Sequence, residues 1–100
     1  MIPYMIAPLA QNDIDEIWSY IARDSLAAAD RLIALFHRKF LLLSSQPFMG
    51  EPREELQPDL RAFSVGNYAV LYRPLQNKNS IEVARVIHAA RDIGSQFSTD

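Results

Sequence analysis

The sequence predicts an α+β domain in which an antiparallel pair of helices packs on a mainly antiparallel sheet of three to four strands, in the order β-α-α-β-β-β. Two observations predict this class. Apolar residues recur every three or four positions across residues 8–45, which indicates two amphipathic helices. From residue 60 onwards, short apolar runs flank the turn pair Gly66-Asn67, which indicates a strand hairpin. The helix pair needs an apolar surface to cover, and the sheet supplies it.

The N-terminal residues predict a short strand followed directly by the first helix. Apolar residues alternate across residues 2–6, and Pro3, which cannot donate to a ladder, favours an edge position. Pro8 suits the first helical turn, where its missing N–H costs nothing. We expect this helix to end near Asp24.

The second helix has clearer boundaries in the sequence. Ser25 is the expected N-cap, and the run Ser44-Ser45-Gln46-Pro47 ends the apolar period. Because the two helices are joined by one or two residues, they form an antiparallel hairpin. The aromatic side chains on their inward faces are assigned to the core, namely Trp18, Phe36 and Phe40.

Three strands are predicted after the helices, over residues 60–65, 68–73 and 81–87. In a two-residue hairpin at Gly66, Arg61 lies opposite Tyr72 on the side of the sheet that also carries Val65 and Tyr68. We expect the helix pair to cover one side of the sheet and the other side to be semi-exposed, where a partner peptide could lie.

Composition limits the possible functions. The chain has 100 residues, no cysteine and a net charge of −2. We therefore expect a single domain over residues 1–100, with no disulfide, thiolate metal site or cysteine nucleophile. Its two histidines are far apart in sequence, so no metal site is expected. Its three glycines form no phosphate-binding loop, and no cofactor is expected. The acidic balance also argues against a dedicated nucleic-acid binder. With no signal peptide or membrane span in the sequence, we expect an intracellular protein.

The predicted strands and the residues directly after the last of them carry basic and aromatic side chains that could contact a macromolecular partner. Cationic side chains on a stiff antiparallel framework suggest a surface that meets an acidic partner. The candidate residues for binding a target or an inhibitor are Arg61, Tyr72, Arg85, His88 and Arg91. A structural role is the alternative for some of them, since Arg61 could merely stack on Tyr72, and a histidine after a buried strand is often structural.

A series of short motifs occurs along nearly the whole chain in a fixed order. They are Asp13-Ile14 with Tyr20-Ile21, Pro47 with Met49-Gly50, Leu60-Arg61 with Phe63, Val65-Gly66-Asn67-Tyr68, Tyr72-Arg73, and Arg85-Val86-Ile87-His88 with Arg91-Asp92-Ile93. With this order and spacing, the chain resembles the ParE branch of the ParE/RelE toxin superfamily. The resemblance implies a bacterial, cytoplasmic toxin that forms a hetero-oligomer with a ParD-like ribbon-helix-helix antitoxin, whose C-terminal segment wraps the toxin.

The resemblance also implies a choice of target. Toxins of the ParE branch act on DNA gyrase, whereas the RelE branch cleaves messenger RNA in the ribosome, and one fold serves both. Here Arg61, Arg85 and Arg91 could stabilise charge and His88 could transfer a proton. The loop of residues 51–55 is nevertheless acidic, and the C-terminal aromatic residue is Phe97, which has no hydroxyl. We therefore expect a gyrase inhibitor that is not an enzyme. The alternatives are an mRNA interferase and a non-toxic member that only binds its antitoxin.

Overall fold

The computed structural model describes residues 3–76 and 80–89, and they form two helices packed on one five-stranded sheet. The elements are β1 (Tyr4–Ile6), α1 (Pro8–Ala22), α2 (Leu26–Ser45), β2 (Glu51–Pro52), β3 (Arg61–Val65), β4 (Tyr68–Pro74) and β5 (Ile81–His88). The strand order is β1-β5-β4-β3-β2, with β1 parallel to β5 and the other pairs antiparallel. The predicted α+β class is confirmed. The additional strand is β2, whose two residues are too few to produce an alternation pattern.

The helices begin where the sequence predicted. Pro8 occupies the first turn of α1, which ends at Ala22, two residues before the expected end at Asp24. Ser25 is the N-cap of α2, because its Oγ accepts a hydrogen bond from the Ala28 N–H at 3.1 Å. That bond satisfies one of the backbone donors left unpaired in the first helical turn.

The β3–β4 hairpin also has the predicted geometry. Gly66 has φ of 58°, the positive value that this hairpin turn requires and that glycine adopts without strain. The register pairs Arg61 with Tyr72 and Val65 with Tyr68, as predicted. The side chains of β3 and β4 are therefore assigned correctly to the two sides of the sheet.

A bulge interrupts the β4–β5 ladder. Leu71 pairs with Arg85, whereas the next residue, Tyr72, pairs with Val83, so Ala84 is the extra residue on β5. Val83 and Val86 are three residues apart, and without a bulge they would face opposite sides of the sheet. With the bulge, both are buried in the core beneath the helices.

The main core lies between the helices and the sheet. Its buried residues are Ala10, Ile14, Phe36, Phe40, Leu43, Val65, Val70, Tyr72, Ile81, Val83 and Val86. The assignments of Phe36 and Phe40 are confirmed, but that of Trp18 is wrong. The Trp18 side chain is 36% exposed, and its indole N–H donates to Asp30 Oδ1 at 2.9 Å. The polar indole nitrogen thus finds a partner at the helix surface that an apolar core does not offer.

The side of the sheet away from the helices is better covered than predicted. Leu60, Ala69, Leu71 and Ile87 form a second buried cluster there, against which Leu56 packs. The expectation of a semi-exposed face is therefore wrong for these positions, because the segment after β2 folds back over them.

In the described part of the chain, neither helix is apolar enough over a sufficient length to cross a bilayer.

Candidate functional site

Two of the predicted site residues, Arg61 and Tyr72, hold the loop that follows α2. Arg61 Nη1 donates to the carbonyl oxygens of Phe48 at 3.1 Å and Gly50 at 2.7 Å. The Tyr72 hydroxyl donates to the Pro47 carbonyl at 3.0 Å and accepts from the Gly50 N–H at 2.8 Å. Four hydrogen bonds between these two sheet side chains and the loop therefore fix the backbone of residues 47–50.

Tyr72 is fully buried, so its side chain does not reach a partner across the protein surface. Burial raises the pKa of this phenol, although the Gly50 N–H and the positive charge of Arg61 act in the opposite direction. The neutral hydroxyl can both donate and accept, as its two bonds to the loop require. The expectation that Tyr72 contacts the target or antitoxin is corrected to a structural role, because its only polar atom is used inside the fold.

Gly50 makes this arrangement possible. A Cβ atom on Gly50 would lie 2.5 Å from the Tyr72 hydroxyl oxygen and 2.8 Å from its Cε1. Both distances are far below van der Waals contact, so a side chain here would displace the tyrosine or the loop. The glycine of the Pro-Phe-Met-Gly motif is therefore needed for the close approach of loop and ring.

Arg85 is bound to the first helix. Its Nε and Nη2 donate to the two carboxylate oxygens of Asp13 at 2.7 Å and 2.9 Å, and the Val86 N–H donates to Oδ2 at 3.0 Å. This bidentate pair is largely buried, with side-chain exposures of 18% and 11%. The hydrogen bond to Asp13 raises the pKa of Arg85, and the pair joins α1 to the bulged part of β5.

A groove lies beside this ion pair, between α1 and the end of β5, and we call it the α1–β5 groove. It has a volume of about 870 Å³. Its lining residues are Asp13, Glu16, Ile17, Tyr20, Asn67, Tyr68, Arg85, Val86, Ile87 and His88. Tyr20 is 69% exposed, although aromatic side chains are usually more buried. Because Asp13 and Arg85 neutralise each other, Glu16 leaves the groove with an excess of negative charge.

His88 lies in this groove, away from Arg61. The His88 ring stands edge-on to Tyr68, with 5.3 Å between the ring centroids. The sheet register places His88 opposite Tyr68 and Arg61 opposite Tyr72. These two positions are four residues apart on β4, which corresponds to about 13 Å along the strand. The two candidates are thus not brought together, and the fifth, Arg91, lies outside the described residues.

The other arginines on this part of the chain also have partners within the fold. Arg73 pairs with Glu82 at 3.0 Å and donates to Gln57 Oε1 at 2.5 Å, while Arg53 pairs with Glu55 at 2.6 Å. Among the described residues, the arginines of β3, β4 and β5 therefore do not form one outward-facing cluster, contrary to the prediction from their positions on the strands. Among the residues that the structure describes, no three histidine or acidic side chains are grouped so that they could hold a metal ion.

Sequence reasoning missed Asp13, Tyr20 and Phe48 as contributors to these surfaces. Asp13 and Tyr20 are part of the motifs on α1, but nothing local shows that they line a groove with β5. Phe48 is 71% exposed, and its ring lies 4.9 Å from the Arg61 guanidinium carbon. An aromatic residue in a loop between a proline and a glycine was the available signal.

Solved structures establish the class of fold. One chain of the chromosomal ParDE toxin–antitoxin system from P. aeruginosa superposes with a TM-score of 0.69 at 18% identity, covering 88% of this chain and 96% of that chain. One chain of the RelBE2 toxin–antitoxin complex from Mycobacterium tuberculosis superposes with a TM-score of 0.58 at 23% identity, covering 85% and 94%. The fold is thus the α+β fold of the RelE/ParE type.

Sequence comparison identifies the family. The chain is 29% identical to Toxin ParE3 of Caulobacter vibrioides over 91 residues, covering 86% of this chain and 85% of the relative. It is also 29% identical to Toxin ParE1 of that organism over 89 residues, covering 88% and 90%. The family model described as "ParE toxin of type II toxin-antitoxin system, parDE" matches residues 4–93. The chain belongs to this family of type II toxin–antitoxin toxins.

Proposed function

We propose that this ParE-family toxin inhibits bacterial DNA gyrase by binding to it in the cytoplasm, and that a ParD-like ribbon-helix-helix antitoxin neutralises it. The family match over residues 4–93 carries this proposal. The partners follow from the family, in which the relatives are named as toxins and one structural neighbour is a ParDE system. The toxin acts without a cofactor.

The α1–β5 groove supports the proposed capture by an antitoxin segment. Ile17 and the exposed Tyr20 offer apolar surface for the anchors of an amphipathic helix or an added strand. Glu16 is exposed and adds a carboxylate beside them. Because the positive charge of Arg85 is already neutralised, the complementary segment carries apolar anchors and a basic residue, rather than acidic residues alone.

The arrangement of the candidate catalytic groups supports binding over catalysis. Metal-free RNA cleavage needs a proton-transfer group and cations around one phosphate. His88 and Arg61 are instead separated along the sheet, and Arg85 is bound to Asp13. From the start of β2 to the loop before β3, residues 51–59 carry four carboxylates and one guanidinium, and this negative charge repels a nucleic-acid backbone.

Two assays on purified protein test the proposal. We expect the toxin to inhibit DNA supercoiling by gyrase, and to leave messenger RNA intact on translating ribosomes. Addition of the ribbon-helix-helix protein encoded next to the toxin gene should restore supercoiling. Transcript cleavage with unaffected supercoiling would instead favour the mRNA interferase. No effect in either assay, with antitoxin binding retained, would identify a non-toxic member of the family.

A further inference from the structure

An exposed apolar tip is formed by Phe48 and Met49 in the loop after α2. Their side chains are 71% and 41% exposed. Exposed apolar residues are common, but two large ones at adjacent positions of a short loop form a patch that is suited to a protein contact. The tip lies beside the edge of the sheet that β3 and β2 form, away from the α1–β5 groove that we assign to the antitoxin.

The tip is held rigidly although it is exposed. The Arg61 and Tyr72 side chains bind the loop backbone on both sides of Phe48, with bonds to the carbonyls of residues 47, 48 and 50 and from the Gly50 N–H. The Arg61 guanidinium also lies over the Phe48 ring. A rigid aromatic side chain loses little conformational entropy on binding, which is a property of interface hot spots.

The surface next to the tip has an excess of negative charge, although the Arg61 guanidinium lies over the Phe48 ring. Residues 51–59 are separated from the tip only by Gly50 and have a net charge of −3, from four carboxylates and one guanidinium. Arg53 is paired with Glu55. The exposed Glu51, Glu54 and Asp59 form no ion pair with any residue that the structure describes. A partner that complements this surface has an apolar pocket bordered by lysine or arginine residues.

We infer that Phe48 and Met49 insert into an apolar pocket on the protein target, while the acidic segment 51–59 contacts a basic rim around that pocket. This inference rests on the proposed function, because it assigns the contact surface by which the toxin meets its target. A basic rim is expected of an enzyme that binds DNA, since such enzymes carry positive charge to neutralise phosphates. The Arg61–Tyr72 pair then serves target binding indirectly, by positioning the tip.

The experiment measures binding of the toxin to purified gyrase and inhibition of supercoiling. The combined Phe48→Ala and Met49→Ala variant is expected to bind about 30-fold more weakly, the effect of losing a hot-spot residue. Its matched control is the combined Leu9→Ala and Leu26→Ala variant, which removes side chains that are 63% and 62% exposed elsewhere. The control should bind within about twofold of the unaltered toxin. Circular dichroism melts verify that both variants are folded.

A charge variant tests the acidic rim separately. Changing Glu51 and Glu54 to glutamine should slow association with gyrase several-fold at low salt, and the difference should vanish at high salt. Asp15→Asn on α1 combined with Asp24→Asn in the turn between α1 and α2 makes the same change in net charge elsewhere and should have a smaller effect.

The outcomes separate this inference from the proposed function. Inhibition of gyrase by the unaltered toxin and equally by the Phe48/Met49 variant would overturn the inference and leave the proposed function standing. A loss confined to the Leu9/Leu26 control would overturn it as well. If the unaltered toxin neither binds nor inhibits gyrase, both the proposed function and the inference are overturned.

Discussion

Replacing Asp13 by asparagine removes the charge that joins α1 to β5. The Asp13 carboxylate accepts two hydrogen bonds from Arg85 and one from the Val86 N–H, at 2.7–3.0 Å. Breaking a fully buried pair by removing one partner costs about 3–5 kcal/mol, because the remaining charge stays buried without compensation. The Asp13 and Arg85 side chains are still 11% and 18% exposed, so water partly compensates the remaining charge. We therefore expect Asp13→Asn to lower the free energy of unfolding by about 2–3 kcal/mol.

This loss is measurable by urea denaturation as a lower midpoint with an unchanged slope. Asp15→Asn is the matched control on α1, because Asp15 is exposed and bonds only to Gln11 in the described residues. Its cost should be below about 0.5 kcal/mol. Changing Asp13 and Arg85 together to apolar residues should cost about 1–3 kcal/mol less than the sum of the single changes. A cost for Asp13→Asn as small as that of the control, or strict additivity, would refute this account of the pair.

The remaining predictions concern the loop and the groove. Tyr72→Phe should lower the free energy of unfolding by about 1.5–3 kcal/mol, because two loop hydrogen bonds are lost, whereas the exposed Tyr20→Phe should change it little. Gly50→Ala should lower the melting temperature more than Gly66→Ala does. The Cβ added at Gly50 would clash with Tyr72, whereas the Cβ added at Gly66 meets no other atom and only strains the backbone by about 1 kcal/mol. A larger loss for Gly66→Ala would be inconsistent with the loop packing. Tyr20→Ala should leave stability unchanged but weaken antitoxin binding about tenfold or more by calorimetry, and an effect no larger than that of Leu26→Ala would remove Tyr20 from the interface.

Features of the fold that are set by residues close together in the sequence were predictable. The cap of α2 needs only Ser25 and the N–H three residues later, and the β3–β4 turn needs only a residue that tolerates positive φ. Once the turn length is known, the pleat of the strands determines the register, so the pairing of Arg61 with Tyr72 followed directly.

The site was less predictable, because its contacts join residues that are distant in sequence. Asp13 and Arg85 are 72 residues apart, and Gly50 and Tyr72 are 22 apart. The sequence shows Arg85 as a basic residue on a strand, and it cannot show that a carboxylate on the first helix neutralises it. The bulge at Ala84 has no local signal either, although it decides which β5 side chains enter the core.

The sequence by itself determined the order of the two helices and of every strand except the two-residue β2, together with the hairpin register and the family, since these depend on local backbone preferences and on motif spacing. Only the tertiary structure decided that Tyr72 is buried, that Arg61 and Arg85 are bound within the fold, and that Phe48 is exposed on a rigid loop. The physical reason is that the availability of a polar or aromatic side chain for a partner depends on which distant groups already satisfy or cover it.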